Sequence, residues 1–193
     1  MKKFISMLLA LVMVFGLTAC GGATQPTEAP AADVQAPAST LEVMENIWAL
    51  YGDSEKFPVM GGNPEGGVMD APANWDIAYV EGLTSYLMLS AEDVANIDEA
   101  ATLIHMMNTN TFTGAVIHLK DGVDAAAFAA TAKDGIVNGQ WLCGSPEKVI
   151  VADLGGNYLL IALGINDAMG TFEAKLTEAY PEAAILHNEA IGG

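Results

Sequence analysis

The residue pattern points to an α+β domain of two layers, an antiparallel sheet with helices on one face, and three features carry that reading. Short apolar runs come in pairs across tight polar turns, as hairpins do. Within a run one side is apolar and the other polar, as with Ala115, Ile117 and Leu119 against His118 and Lys120, so a single face of the sheet asks for cover. Amphipathic helical segments follow the paired runs and can supply that cover.

Taken in order, the ordered part starts at Ser39, where Ser39 and Glu42 have the S-x-x-E spacing of a capping box. Leu41, Met44, Trp48 and Tyr51 then recur at helical spacing up to the breaker Gly52. Asp53 to Asn74 carries Gly61-Gly62, Gly66-Gly67 and prolines at 58, 64 and 72. A loop of that length inside a compact domain marks a candidate binding surface. Its glycine pairs read as flexible connections, because a phosphate cradle needs a lysine and a helix start, and Lys56 stands alone upstream.

Trp75 to Leu89 mixes strand and helix signals, with a lean to helix up to Glu81; Ser90 followed by Ala91 to Asp93 reads as a cap and an acidic first turn. Thr102 to Met107 and Thr111 to Lys120 read as strands across Asn108-Thr109-Asn110, with a helix from Asp124 to about Asp134. Lys148 to Leu154 and Asn157 to Leu163 form a second hairpin across Gly155-Gly156. Its helix, Asp167 to Tyr180, sets Met169, Phe172, Leu176 and Tyr180 on one side and stops at Pro181. Ile117 aligns with Ile161, Leu119 with Leu163 and Phe128 with Phe172 at one constant offset, the mark of a ββα repeat.

Upstream of the domain, Lys2 and Lys3 precede an uncharged run from Phe4 that ends in Leu17-Thr18-Ala19-Cys20. This is the layout of an export signal, and the run falls short of the roughly 20 residues a membrane span needs. Followed by Gly21 and Gly22, that tetrad closely resembles the lipobox of bacterial lipoproteins. The resemblance implies cleavage before Cys20 and thioether lipidation of its sulfur, so Cys20 is the expected lipidation site. Two acyl chains at about 0.8 kcal/mol per buried methylene anchor a chain without a basic patch. The chain then divides into a leader over 1–19, an Ala/Pro-rich tether over 20–38 with no aromatic and almost no large aliphatic residue, and one folded extracytoplasmic domain over 39–193. The tether reaches at most about 60 Å at roughly 3.1 Å per residue.

Composition narrows the partners. The 193 residues hold 24 acidic side chains against 7 basic ones, all lysine, for a net charge of -17. Nucleic acid and anionic lipid surfaces need clustered cations, so neither is an expected partner. With 52% hydrophobic residues the chain has material for a core.

The strong catalytic and cofactor motifs, GxxxxGK[ST], GxGxxG after a strand, HExxH, GxSxG and CxxC, are missing from the sequence. No catalytic, cofactor or metal residue is therefore assigned, and a non-enzymatic role is favoured. Three weaker constellations remain. Cys143, in Gln140-Trp141-Leu142-Cys143-Gly144, is the one thiol left once Cys20 is lipidated; a thiol enzyme would pair it with a base such as His118. His105, Met106 and Met107, with Met60 and Met69 in the long loop, offer the soft donors of a copper(I) carrier. If 105–107 is a strand, only His105 and Met107 share a side. Trp75, Tyr79 and Tyr86 suit an apolar or sugar-binding groove, or the core, and His187 reads as a surface residue.

Thr111 to Lys120, Gln140 to Gly144 and Gly156-Asn157-Tyr158-Leu159-Leu160 look like segments of uncharacterised lipoproteins of Gram-positive bacteria. The likeness spans the final half of the chain and implies an envelope-anchored α+β domain, with no site residues to carry over. The expectation is a lipid-anchored binding or interaction module on the extracytoplasmic face of the cell membrane, with a protein or envelope partner.

Overall fold

The computed structural model describes residues 36–142 and 144–192. The leader, Cys20 with the tether as far as residue 35, and Cys143 lie outside them. The first helix, α1 (Thr40–Ala49), starts where the capping spacing places it, with the Glu42 N–H donating to Ser39 Oγ at 3.1 Å. Its buried stripe is Val43, Met44, Ile47 and Trp48, while Leu41 is only half-buried.

The segment expected as a loop contributes three short strands, β1 (Val59–Gly61), β2 (Val68–Met69) and β3 (Ala73–Asn74). A helix, α2 (Val80–Tyr86), follows, beginning about where the sequence reading had it end. Asp76 to Tyr79 instead form turns, stabilised by the Asp76 side chain accepting the Ala78 N–H at 2.9 Å. The short α3 (Ala91–Val94) has a complete capping box between Ser90 and Asp93.

The long elements then come in the expected order: β4 (Ile97–His105), β5 (Phe112–Leu119), α4 (Ala125–Val137), β6 (Lys148–Asp153), β7 (Tyr158–Gly164) and α5 (Asn166–Ala179). Strand β4 begins five residues earlier than its apolar run because Asp98 and Glu99 interrupt the run without leaving the sheet. A last strand, β8 (Ala184–Ala190), has no counterpart in the sequence pattern; it lies at an edge with most side chains exposed, so it carries no apolar run.

All pairings are antiparallel, in the order β2-β1-β4-β5-β7-β6-β8, with β3 also on β4. The α+β class and the antiparallel sheet are as the sequence implies. The one-sided cover is not: helices pack on both faces. Leu159, Ile161 and Leu163 of β7 face a core closed by α2, α3 and α4, while Leu160 and Ala162 face a second core closed by α1 and α5. The polar residues that implied an open face, His118 and Lys120, sit at the end of β5; further back Phe112 and Val116 are buried on that same side. The repeat also stops at the strands. Ile117 and Ile161 face one core, but Phe128 and Phe172 lie in opposite cores. No helix among the described residues is long and apolar enough to cross a membrane.

Candidate functional site

The glycine-rich segment builds a site at one edge of the sheet. Strand β1 pairs with the end of β4 through Val59 and His105 and through Met60 and Ile104. Strand β3 takes the same edge further along, through Ala73 and Thr102 and through Asn74 and Ala101, and the Trp75 N–H continues the ladder to the Ala100 carbonyl at 2.8 Å. Between the two, the chain leaves through residues 62–67, returns outside β1 as β2, and crosses behind Gly61.

The crossing dictates the glycine. A Cβ on Gly61 would collide with the backbone of Ala71, Pro72 and Ala73. Gly62 adopts φ +78° and donates its N–H to the buried Thr102 Oγ1 at 3.0 Å, and Gly66 adopts φ +85°. Gly61-Gly62 is thus a packed crossing held by a buried hydrogen bond, which corrects the reading of these residues as a flexible connection.

The detour encloses a cleft of about 630 Å³, lined by Gly62, Asn63, Glu65, Asn74, Asp76 and Tyr79 among others. Its far wall is tied to the glycine turn, since Asn63 Oδ1 accepts the Asp76 N–H at 2.7 Å. Tyr79 is 40% exposed and stacks on the 4% exposed Trp75, with centroids 5.7 Å apart and planes 29° from parallel. The Trp75 Nε1–H donates to the Tyr79 carbonyl at 3.3 Å, fixing the stack from the core side. Gly82 leaves room for it: a Cβ there would strike the Trp75 ring and lie 2.8 Å from Tyr79 Cε1.

The cleft is acidic. Glu65 and Asp76 line it, and among the described residues no lysine does. The five lysines of the described residues are engaged by other groups: Lys56 lies over the Trp48 ring, Lys120 donates to the Ala95 carbonyl, and Lys133, Lys148 and Lys175 pair with Asp134, Glu173 and Glu55.

The other constellations fare differently. His118 Nδ1 lies 2.5 Å from Asp98 Oδ1, and its ring is 4.5 Å from that of Tyr158. Cys143 itself is outside the described residues, but the amide of Asn110 donates to the carbonyls of its neighbours Leu142 and Gly144, at 2.7 and 2.5 Å. Asn110 precedes the start of β5, whereas His118 lies six residues beyond that start, about 20 Å along the strand at roughly 3.3 Å per residue. The described geometry does not bring His118 to that thiol's neighbours.

The soft donors are also divided. His105 pairs with Val59 and stacks on Phe57 at 5.6 Å, on the α1 side, while Met60 pairs with Ile104 and Met69, on the other. His105 Nδ1 accepts the N–H groups of Met107 and Asn108, at 3.2 and 3.3 Å, which places its ring proton on Nε2. Among the described residues no three His, Cys, Asp or Glu side chains gather as metal ligands. His187 is half-buried on β8, with Nδ1 3.5 Å from Glu189. Of the three aromatics, Trp75 belongs to the core, Tyr86 packs against it with its hydroxyl pKa raised by burial and by Tyr79, and Tyr79 faces the cleft.

The sequence carried half of this site. Loop length singled out the segment and spacing singled out Tyr79, but Asn63, Glu65 and Asp76 gave no signal, because only the crossing at Gly61 brings 62–67 against 74–79. No family model, curated protein or solved structure matches this chain.

Proposed function

We propose that this chain is a lipid-anchored binding module of the cell envelope, tethered through Cys20 on the extracytoplasmic face and taking its ligand in the cleft between residues 62–67 and Tyr79. The observation that carries the reading is the cleft itself: a concave volume of about 630 Å³, within the range of small-molecule sites, with walls held by the buried Gly62–Thr102 bond and by the exposed bond from the Asp76 N–H to Asn63. The lipobox-like leader supports the anchor. The stack of Tyr79 on Trp75 supports recognition, because it presents a rigid aromatic surface at low entropic cost.

Photo-crosslinking tests this. The full chain, carrying p-benzoylphenylalanine at 79 or at the exposed position 178 on α5, is irradiated in its own membrane. The module reading predicts an adduct of defined mass from 79 and none from 178, together with the mass of a diacylglyceryl thioether on Cys20 as the first residue of the mature chain, lost in Cys20→Ser. Equal labelling from both positions, or a Cys20 without acyl mass in the parent, contradicts it.

A further inference from the structure

The chemistry of the cleft restricts what it holds. Its charged lining groups are the carboxylates of Glu65 and Asp76, and the described lysines are engaged by other groups. An anionic ligand would meet two like charges without a counter-ion, inside a chain of net charge -17. A purely apolar ligand would gain nothing from these two solvent-exposed carboxylates. An aromatic face beside carboxylates instead complements a cation, since the ring quadrupole and the negative charges both stabilise it. Tyr79 is backed by a second aromatic ring, Trp75, and is held in place by Gly82 and by the Trp75 Nε1–H bond to its carbonyl.

We infer that the cleft recognises an organic ammonium group, seated on the Tyr79 ring and facing Glu65 and Asp76. The inference rests on the binding-module reading and names the ligand class of that same site. Asp76 serves as an anchored charge: its Oδ1 holds the Ala78 N–H and its backbone N–H is held by Asn63, so the carboxylate is oriented before any ligand arrives. Ammonium ligands with a bulky, weakly hydrated head fit best, because they lose least water on meeting the ring.

The test compares two probes of one shape. Choline and its carbon isostere 3,3-dimethylbutan-1-ol are each titrated into the full lipidated chain in mild non-ionic detergent, followed by calorimetry and amide chemical shifts. Choline is expected to bind about tenfold or more tighter than the isostere, with shifts confined to 62–79. Raising the salt from about 20 to about 200 mM should weaken choline severalfold, by screening Glu65 and Asp76. Tyr79→Ala and the conservative Glu65→Gln, both at exposed positions, should each weaken it, Tyr79→Ala by about tenfold. Equal binding of the two probes at 62–79 overturns the ammonium assignment while leaving the binding module intact. Choline binding that Tyr79→Ala leaves unchanged, or the absence of choline binding, overturns the assignment as well, and the crosslinking at 79 then decides the module reading by itself.

Discussion

The central strands and the edge segment of this sheet solve opposite problems. In β7 all seven residues are buried, and each face meets its own helices. Such a strand leaves no surface for a ligand and tolerates little change in side-chain volume. Between Val59 and Tyr79 the chain instead meets the sheet in two- and three-residue pieces, crosses itself at a glycine and leaves a cleft. Stability is concentrated in the first region and recognition is available in the second. The edge is nonetheless not loose, because buried Thr102 and the Asn63 bond to Asp76 fix it.

Substitutions in the central strands should therefore cost most. Leu160→Ala and Ile161→Ala, one for each core, are expected to lose about 2–5 kcal/mol each. Denaturant titration measures this, and a small loss at Leu160 alone would show that the α1 and α5 face is dispensable. At the edge, Gly61→Ala should cost about 1–3 kcal/mol by forcing the crossing apart; a cost near zero would mean that the crossing is not packed.

Alkali should act on the cores. Burial raises the hydroxyl pKa values of Tyr51, Tyr158 and Tyr180 above the ordinary 10.0. A proton held more tightly in the folded state gives stability that is complete below the unfolded value and is lost as pH rises through the folded ones. Stability should thus fall above about pH 10, as thermal melts across pH 8 to 12 would record. The Tyr51 hydroxyl has no hydrogen-bond partner among the described residues, so Tyr51→Phe should gain about 1 kcal/mol and flatten the alkaline loss. Cap removal is of similar size, with Asp124→Ala costing about 1 kcal/mol through the lost bonds to Ala126 and Ala127. Of similar size is Tyr79→Ala, expected to cost about 1 kcal/mol in stability through the lost stack on Trp75. A larger loss would make Tyr79 a structural residue and weaken the contrast between the two regions.

The same contrast explains what could be read from the sequence. Strands β5, β6 and β7 and helices α1, α4 and α5 were legible because long periodic runs and caps such as Ser39 and Asp124 encode them locally. The second covered face was hidden by His118 and Lys120, polar residues near the strand end that stood in for a whole side. Strand β8 was hidden because an exposed edge needs no apolar pattern. Of the cleft, the glycine pairs and Tyr79 were visible, but not the reason for them, since a chain crossing is a tertiary event. Asn63 and Asp76 meet across thirteen residues, and no periodicity links them.

Native mass spectrometry of the full chain, extracted gently from its membrane without chelators and compared with Tyr79→Ala, addresses the cleft most directly. A module that captures its ligand there should carry a small molecule of defined mass in the parent and lose it in the variant, with both folded alike. A clean unliganded mass in the parent, or the same adduct retained by Tyr79→Ala, would contradict the assignment of the cleft as the binding site.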